Sequence, residues 1–268
     1  MTDLRQLVPI IRRAREYHLY TVAGKRYLDL WQEGGRALLG HRPGRLTTAL
    51  KNTISKGLIA DLPSVYSGRL LRLLRRMYPD YRDFRFTCSP AEGLQLASLY
   101  LGRTIAASDV ADPLIVPSAD SGVSLWRPLL SDPPYADVLF PVLPFSMAAA
   151  PFVVCFRSSL PRHFPAQHPV SAVLLAGLLR CLHDLQRFQL PQWYRPDLLA
   201  DCPGWRQEEC YVVPAFEQAR YEQIFAAFLD AQVLLNPVEP YVSILPGGEI
   251  SNGERRKMIG LFRRFPGE

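Results

Sequence analysis

Phe86-Thr87-Cys88-Ser89-Pro90-Ala91-Glu92-Gly93-Leu94-Gln95-Leu96-Ala97 is the stretch on which the fold turns. Phe84 to Cys88 reads as a short strand. The chain then changes period. Ser89 suits a helix N-cap, Pro90 suits the first helical position, and Glu92 completes a capping box. The helix continues through Leu94, Ala97 and Leu101 to Gly102. A helix that starts directly after a strand presents free N–H groups and about half a positive charge, which suits a phosphate. A plain capping box is the competing reading. It is favoured by Pro90, which removes one donor from the first turn.

On the N-terminal side, Leu7 to Arg15 fits a short amphipathic helix. His18 to Val22 and Arg26 to Trp31 read as strands joined by the turn Ala23-Gly24-Lys25. Gly34 to Gly44 is a loop. Arg45 to Lys56 is predicted helical, with Leu46, Leu50 and Ile54 in one stripe and Gly57 as C-cap. Ser67 to Tyr78 is predicted helical, with Leu70, Leu71, Leu74 and Met77 inward and arginines outward.

On the C-terminal side, Leu114 to Pro117, Val138 to Leu143 and Pro151 to Phe156 read as buried strands, followed by an apolar helix, Val170 to Phe188. Gln189 to Arg206, rich in proline and tryptophan, reads as a loop or boundary. Cys210 to Val213, Val233 to Asn236 and Tyr241 to Leu245 are strand-like, and Phe216 to Ala231 is helical. Ser251-Asn252-Gly253-Glu254 is a second capping box, opening a basic helix. Strands alternating with helices imply an α/β layer with an α+β tail.

Composition bounds the function. The chain has 268 residues, 48% hydrophobic and 21% charged, enough to bury a core without disulfides. No apolar run reaches the ~20 residues that span a bilayer, and the first residues lack an apolar signal region. Five cysteines, an odd number at irregular spacing, read as reduced thiols, so a cytoplasmic setting with no membrane is expected. The net charge is +6, nearly all of the basic side being arginine, densest at Arg69 to Arg76 and Arg255 to Arg264. No interleaved aromatic face or nucleic-acid motif accompanies these clusters, which argues against nucleic acid as partner. Cysteines and histidines lack metal-ligand spacing, so no metal is expected. No dinucleotide, Walker or nucleophile-elbow motif occurs. His41, in Gly40-His41-Arg42-Pro43, reads as a ligand contact or as a satisfied loop histidine.

The order of these pieces resembles the class III aminotransferases, pyridoxal-phosphate (PLP) enzymes of fold type I that include glutamate-1-semialdehyde aminomutase. Tyr20-Thr21-Val22-Ala23-Gly24-Lys25-Arg26-Tyr27-Leu28-Asp29-Leu30 resembles the family's N-terminal hairpin, and Leu39-Gly40-His41-Arg42-Pro43 its "L-G-H-x-x-P". Phe86 to Ala97 resembles "F-x-N-S-G-S/T-E-A-x-E-x-A", and Tyr135-Ala136-Asp137-Val138 the strand leading to the cofactor lysine. The resemblance implies a cut-down fold-type-I layer, a mostly parallel sheet with helices on both faces plus a small α+β domain. It implies an N-terminal arm over residues 1–60, a reduced large domain over 61–188, a small domain over 189–268, and a homodimer.

Departures from the family pattern bear on chemistry. The phosphate-binding Gly-Ser/Thr pair is replaced by Pro90 and Ala91, and a block after Arg103 is missing. Family-equivalent cofactor positions are Ser89, Ala91, Glu92 and, as the loose counterpart of the ring-nitrogen aspartate, Asp120. The cofactor lysine should fall near Leu143 and Pro144, where there is none. The four lysines are Lys25, Lys51, Lys56 and Lys257. Transamination needs an amine to hold the cofactor and move a proton, and arginine stays protonated. No catalytic residue and no cofactor are therefore expected, with PLP left open by the resemblance. Gln32, Glu33, Arg36, His41, Trp126 and Arg127 are candidate ligand or interface residues. In the main reading, a degenerate aminotransferase-like protein binds a protein or small-molecule partner. The alternatives are an active PLP enzyme and an arginine-rich interaction module.

Overall fold

Alternating strand and helix patterns fold as expected in the computed structural model, which describes residues 3–41, 43–60, 62–115, 122–130, 135–167 and 169–266. In chain order the elements are β1 (Ile11–Arg15), β2 (His18–Thr21), β3 (Arg26–Asp29), α1 (Gly44–Ser55), α2 (Val65–Met77), β4 (Asp83–Thr87) and α3 (Pro90–Leu101). They continue as β5 (Val123–Trp126), β6 (Val138–Pro141), β7 (Phe152–Phe156), α4 (Ala172–Leu185), β8 (Trp205–Glu208), β9 (Tyr211–Pro214), α5 (Gln218–Asp230), β10 (Val233–Leu234), β11 (Ser243–Ile244) and α6 (Asn252–Arg264). The chain divides into two compact units, Gly44–Gln186 and Met1–Pro43 with Arg187–Glu268. The boundary expected near residue 60 thus falls at Pro43, because α1 packs on α4.

In the Gly44–Gln186 unit the sheet order is β4-β7-β6-β5. The α/β layer stands, but the expected mostly parallel sheet is mixed: β5 and β6 are parallel, and β7 is antiparallel to both neighbours. A parallel return requires a long crossover. The link from β6 to β7 contains no helix, so β7 runs back. One face of the sheet carries Val138, Val154 and Phe156, packed with Leu96 and Ala97 of α3. Gly93 allows this approach, since a Cβ there would lie 2.8 Å from the Phe140 ring. By the two-residue strand period, Cys155 faces the other way, beside Tyr78 and Tyr81 at the end of α2. Both faces are therefore covered. Helix α4 packs on α1 and α2, and Gly177 in α4 makes room for the buried Phe145 ring.

In the other unit one sheet has the order β1-β2-β3-β10 and a second β11-β9-β8. Gly24 turns the β2–β3 hairpin at φ +80°. Trp205 on β8 meets Phe216, Phe228 and Phe262 with centroid separations of 5.1, 5.9 and 4.9 Å, which centres this core between α5 and α6.

Three local expectations are corrected. Leu7 to Arg15 is not a helix: a single 3-10 turn, Leu4–Leu7, gives way to the edge strand β1. Pro9 disfavours the helical region for Val8, which is extended at ψ 125°, and β2 offers a ladder to Ile11 through Arg15. Leu114 and Ile115 lie in a turn, where the Asp112 carboxylate accepts the Leu114 N–H at 3.1 Å. Residues 116 and 117 are outside the described residues. Val123–Trp126, for which the sequence pattern predicts no element, and Trp205–Glu208, which begins inside the expected loop or boundary Gln189 to Arg206, are strands because β6 and β9 pair with them. Among the described residues, no helix is long and apolar enough to cross a membrane.

Candidate functional site

The junction of β4 and α3 closes on itself. Ser89 is extended at φ −148° and ψ 157°, which turns its Oγ toward the first helical turn. That oxygen accepts the Glu92 N–H at 3.2 Å. The Glu92 carboxylate reaches back beyond the cap and accepts the Cys88 N–H at 2.8 Å, and the Gly93 N–H goes to the Ser89 carbonyl at 3.2 Å. Pro90 has no N–H to give. Ala91 is exposed and brings no hydroxyl. The Cys88, Glu92 and Gly93 N–H groups are thus satisfied locally.

The segment after β6 is packing rather than chemistry. Leu143 is 7% and Phe145 1% exposed, and Pro144 between them is also buried. All four lysines are exposed elsewhere: Lys25 in the hairpin turn, Lys51 within α1, Lys56 just beyond it, and Lys257 on α6.

A second constellation lies in the loop after β3. Asp29 is 1% exposed. One carboxylate oxygen accepts the N–H groups of Trp31 and Gln32 at 2.9 and 3.1 Å, and the other meets His41 Nε2 at 2.7 Å. Gln32 is fully buried, and its amide donates to the Ile244 carbonyl at 3.0 Å, clamping the loop to β11. Gln32 and Glu33 sit at φ 47° and 48°, followed by Gly34 and Gly35 at 66° and 109°. The two side-chain-bearing residues pay about 1–2 kcal/mol each for that hand. Gln32 Oε1 is buried with no hydrogen-bond partner among the described residues. A carboxylate that orients an imidazole is the pairing that holds proton-transfer histidines. Here it also closes a loop, because His41 and Glu16 exchange backbone hydrogen bonds at 2.6 and 3.0 Å.

The remaining candidates separate. Gln32 is a structural clamp, Glu33 is exposed and Arg36 half-buried. Trp126 lies in β5, edge-on to Tyr78 at 5.4 Å. Arg127 is 7% exposed, and its guanidinium grips Asp112 at 2.6 to 3.2 Å. The candidate Arg127 is therefore engaged internally, because Asp112 supplies its carboxylate. Asp120 lies outside the described residues. Asp29 is the residue the sequence reading missed as a site residue. Its signal is an acid at the buried end of a strand, five residues before Gly34-Gly35.

Comparison with known proteins follows the same lines. No family model matches the chain. It is 28% identical over 289 residues to an uncharacterized protein of Treponema pallidum, covering 88% of each chain. It is 28% identical over 130 residues to glutamate-1-semialdehyde 2,1-aminomutase of Thermus thermophilus, covering 45% of this chain and 31% of that protein. An omega-transaminase from Sphaerobacter thermophilus superposes with a TM-score of 0.72 at 12% identity, covering 96% of this chain and 90% of that one. The fold is that of an aminotransferase. The aminotransferase likeness in structure thus covers 96% of the chain.

Proposed function

We propose that this aminotransferase-fold protein does not transaminate and acts by binding a ligand or partner. The observation that carries the reading is the placement of the four lysines, all exposed and none on the segment that follows β6. At the start of α3, Pro90 and Ala91 supply neither the N–H nor the hydroxyl of the family's phosphate-binding pair, and Ser89 Oγ is taken by the Glu92 N–H at 3.2 Å. The residues present do not fit PLP: no amine accompanies the buried segment Leu143 to Phe145, and the four lysines are exposed on other elements.

A second copy of the chain is part of the proposal. Ile54, Ile59, Leu62 and Val65, at the end of α1 and the start of α2, are 48 to 64% exposed. Apolar residues grouped in this way suit an interface. Sedimentation showing a monomer at all concentrations would remove that part.

The direct test of the catalytic question is an absorption spectrum with added PLP, then borohydride reduction and mass mapping. No near-visible band and no lysine adduct is the expected result. A band trapped on a single lysine would overturn the reading and make the chain an enzyme with a relocated amine.

A further inference from the structure

Arg69, Arg72, Arg75 and Arg76 fall on one face of α2. At 100° per residue they occupy about a third of the helix circumference, opposite the buried Leu70, Leu73 and Leu74. Together with Leu179 and His183 of α4 they line a groove of about 580 Å³. All four arginines are exposed, and none is in an ion pair among the described residues. Arg69 lies over the Tyr66 ring at 6.0 Å.

The neighbouring arginines are in a different state. Asp184, next to His183, takes Arg180 at 2.6 Å and Arg45 at 3.5 Å. Asp184 is thus shared by two guanidiniums, whereas the Arg69 to Arg76 stripe, about 10 Å at 1.5 Å per residue, has no carboxylate partner among the described residues. Four guanidinium forks over so short a span, above a floor of Leu179 and arginine stems, match closely spaced phosphates rather than a single carboxylate. Because the four-arginine stripe spans only about 10 Å, the complementary anion is compact. The volume is in the range of small-ligand sites, ~300–1,000 Å³.

We propose that the α2–α4 groove binds a compact polyphosphate, a ligand bearing two or more contiguous phosphate groups. This names a ligand class for the binding role proposed above and rests on that reading, although the groove lies apart from the α3 turn.

The test is calorimetric titration of the full chain with inorganic tripolyphosphate and, separately, ATP. Saturable one-to-one binding that weakens as salt rises is expected. The double variant Arg72→Ala/Arg76→Ala should lose at least about tenfold in affinity. Arg72→Lys/Arg76→Lys should fall between, since lysine keeps the charge but not the fork. Arg256→Ala, an exposed arginine of α6, should bind like the parent, and circular dichroism checks that each variant is folded. Equal affinity for both probes assigns recognition to the phosphates alone. Tighter ATP binding assigns it to a nucleotide, and either result supports the proposal. Absence of saturable binding, an equal loss in Arg256→Ala, or affinity that keeps rising with the length of a single-stranded oligonucleotide would overturn it. A PLP adduct alongside intact tripolyphosphate binding would sink only the non-catalytic reading. No tripolyphosphate binding without an adduct would sink only the groove.

Discussion

His18 Nε2 lies 2.8 Å from Glu254 Oε1, joining strand β2 to the first turn of α6. The same carboxylate oxygen meets Arg26 Nη2 at 2.8 Å, while Oε2 accepts the Ser251 N–H at 3.0 Å in the capping box. One side chain thus caps a helix and fastens it to a sheet.

Acid should loosen this joint. Burial pushes the Glu254 carboxyl up, but hydrogen bonds from the Ser251 hydroxyl and backbone and from His18 outweigh it and hold it below its usual value of 4.5. A carboxyl depressed in the folded state contributes stability that is full above about pH 4.5 and is lost as pH falls through the lower folded value. Glu254→Gln should lower stability at pH 7 by about 1–2 kcal/mol and flatten the acid limb of the stability profile. Urea denaturation between pH 3 and 7 reads both; an unchanged acid limb would remove Glu254 as its source.

Two helical glycines should respond oppositely to alanine. At Gly177 a Cβ would lie 2.6 Å from the Phe145 ring and 2.9 Å from Leu50 Cδ2. Gly177→Ala should therefore destabilise by about 1–3 kcal/mol through overpacking. At Gly260 nothing lies within 4 Å, and Gly260→Ala should stabilise by about 0.5–1 kcal/mol through helix propensity. Thermal melting of the two variants checks the signs.

Cys88 should be the thiol that labels in the folded protein. It is exposed, whereas Cys155, Cys181, Cys202 and Cys210 are buried. Burial pushes the Cys181 and Cys210 thiols up to about 12, which withholds the reactive thiolate. Alkylation followed by mass spectrometry should place one label at Cys88 under native conditions and all five after unfolding. Rapid native labelling at Cys155 or Cys210 would contradict their burial in β7 and in the β8–β9 turn.

Asp29 should be among the costlier residues to truncate in its unit. Asp29→Ala leaves the Trp31 and Gln32 N–H groups and His41 without their acceptor, at about 3 kcal/mol. Asp29→Asn keeps an oxygen for the two N–H groups and should cost less. Hydrogen exchange at Trp31 and Gln32 follows the loop directly, and should speed up in the alanine variant and much less in the asparagine variant.

What was legible in the sequence was local. Both serine caps, at Ser89 and Ser251, form with their glutamates three residues on, because a capping interaction is completed within one turn. The helices α1, α2 and α4 and the hairpin at Gly24 were readable for the same reason, although Ile54 of the α1 stripe is exposed. The strands β1, β5 and β8 were not, since a short, partly polar run becomes a strand only when a partner ladder is present.

The candidate site divides in the same way. The amino-acid sequence by itself determined where lysine is absent, that Pro90 and Ala91 open α3, and that arginines line one face of α2. Those are properties of identity and period, independent of what lies opposite. Tertiary structure alone decided that Arg127 pairs with Asp112, that Asp29 holds His41, and that Asp184 is shared by Arg180 and Arg45 while the Arg69 to Arg76 stripe has no carboxylate partner among the described residues. Whether a charge is used internally or offered to a ligand depends on which opposite charge comes within a few ångströms of it, and chain separation does not specify that distance.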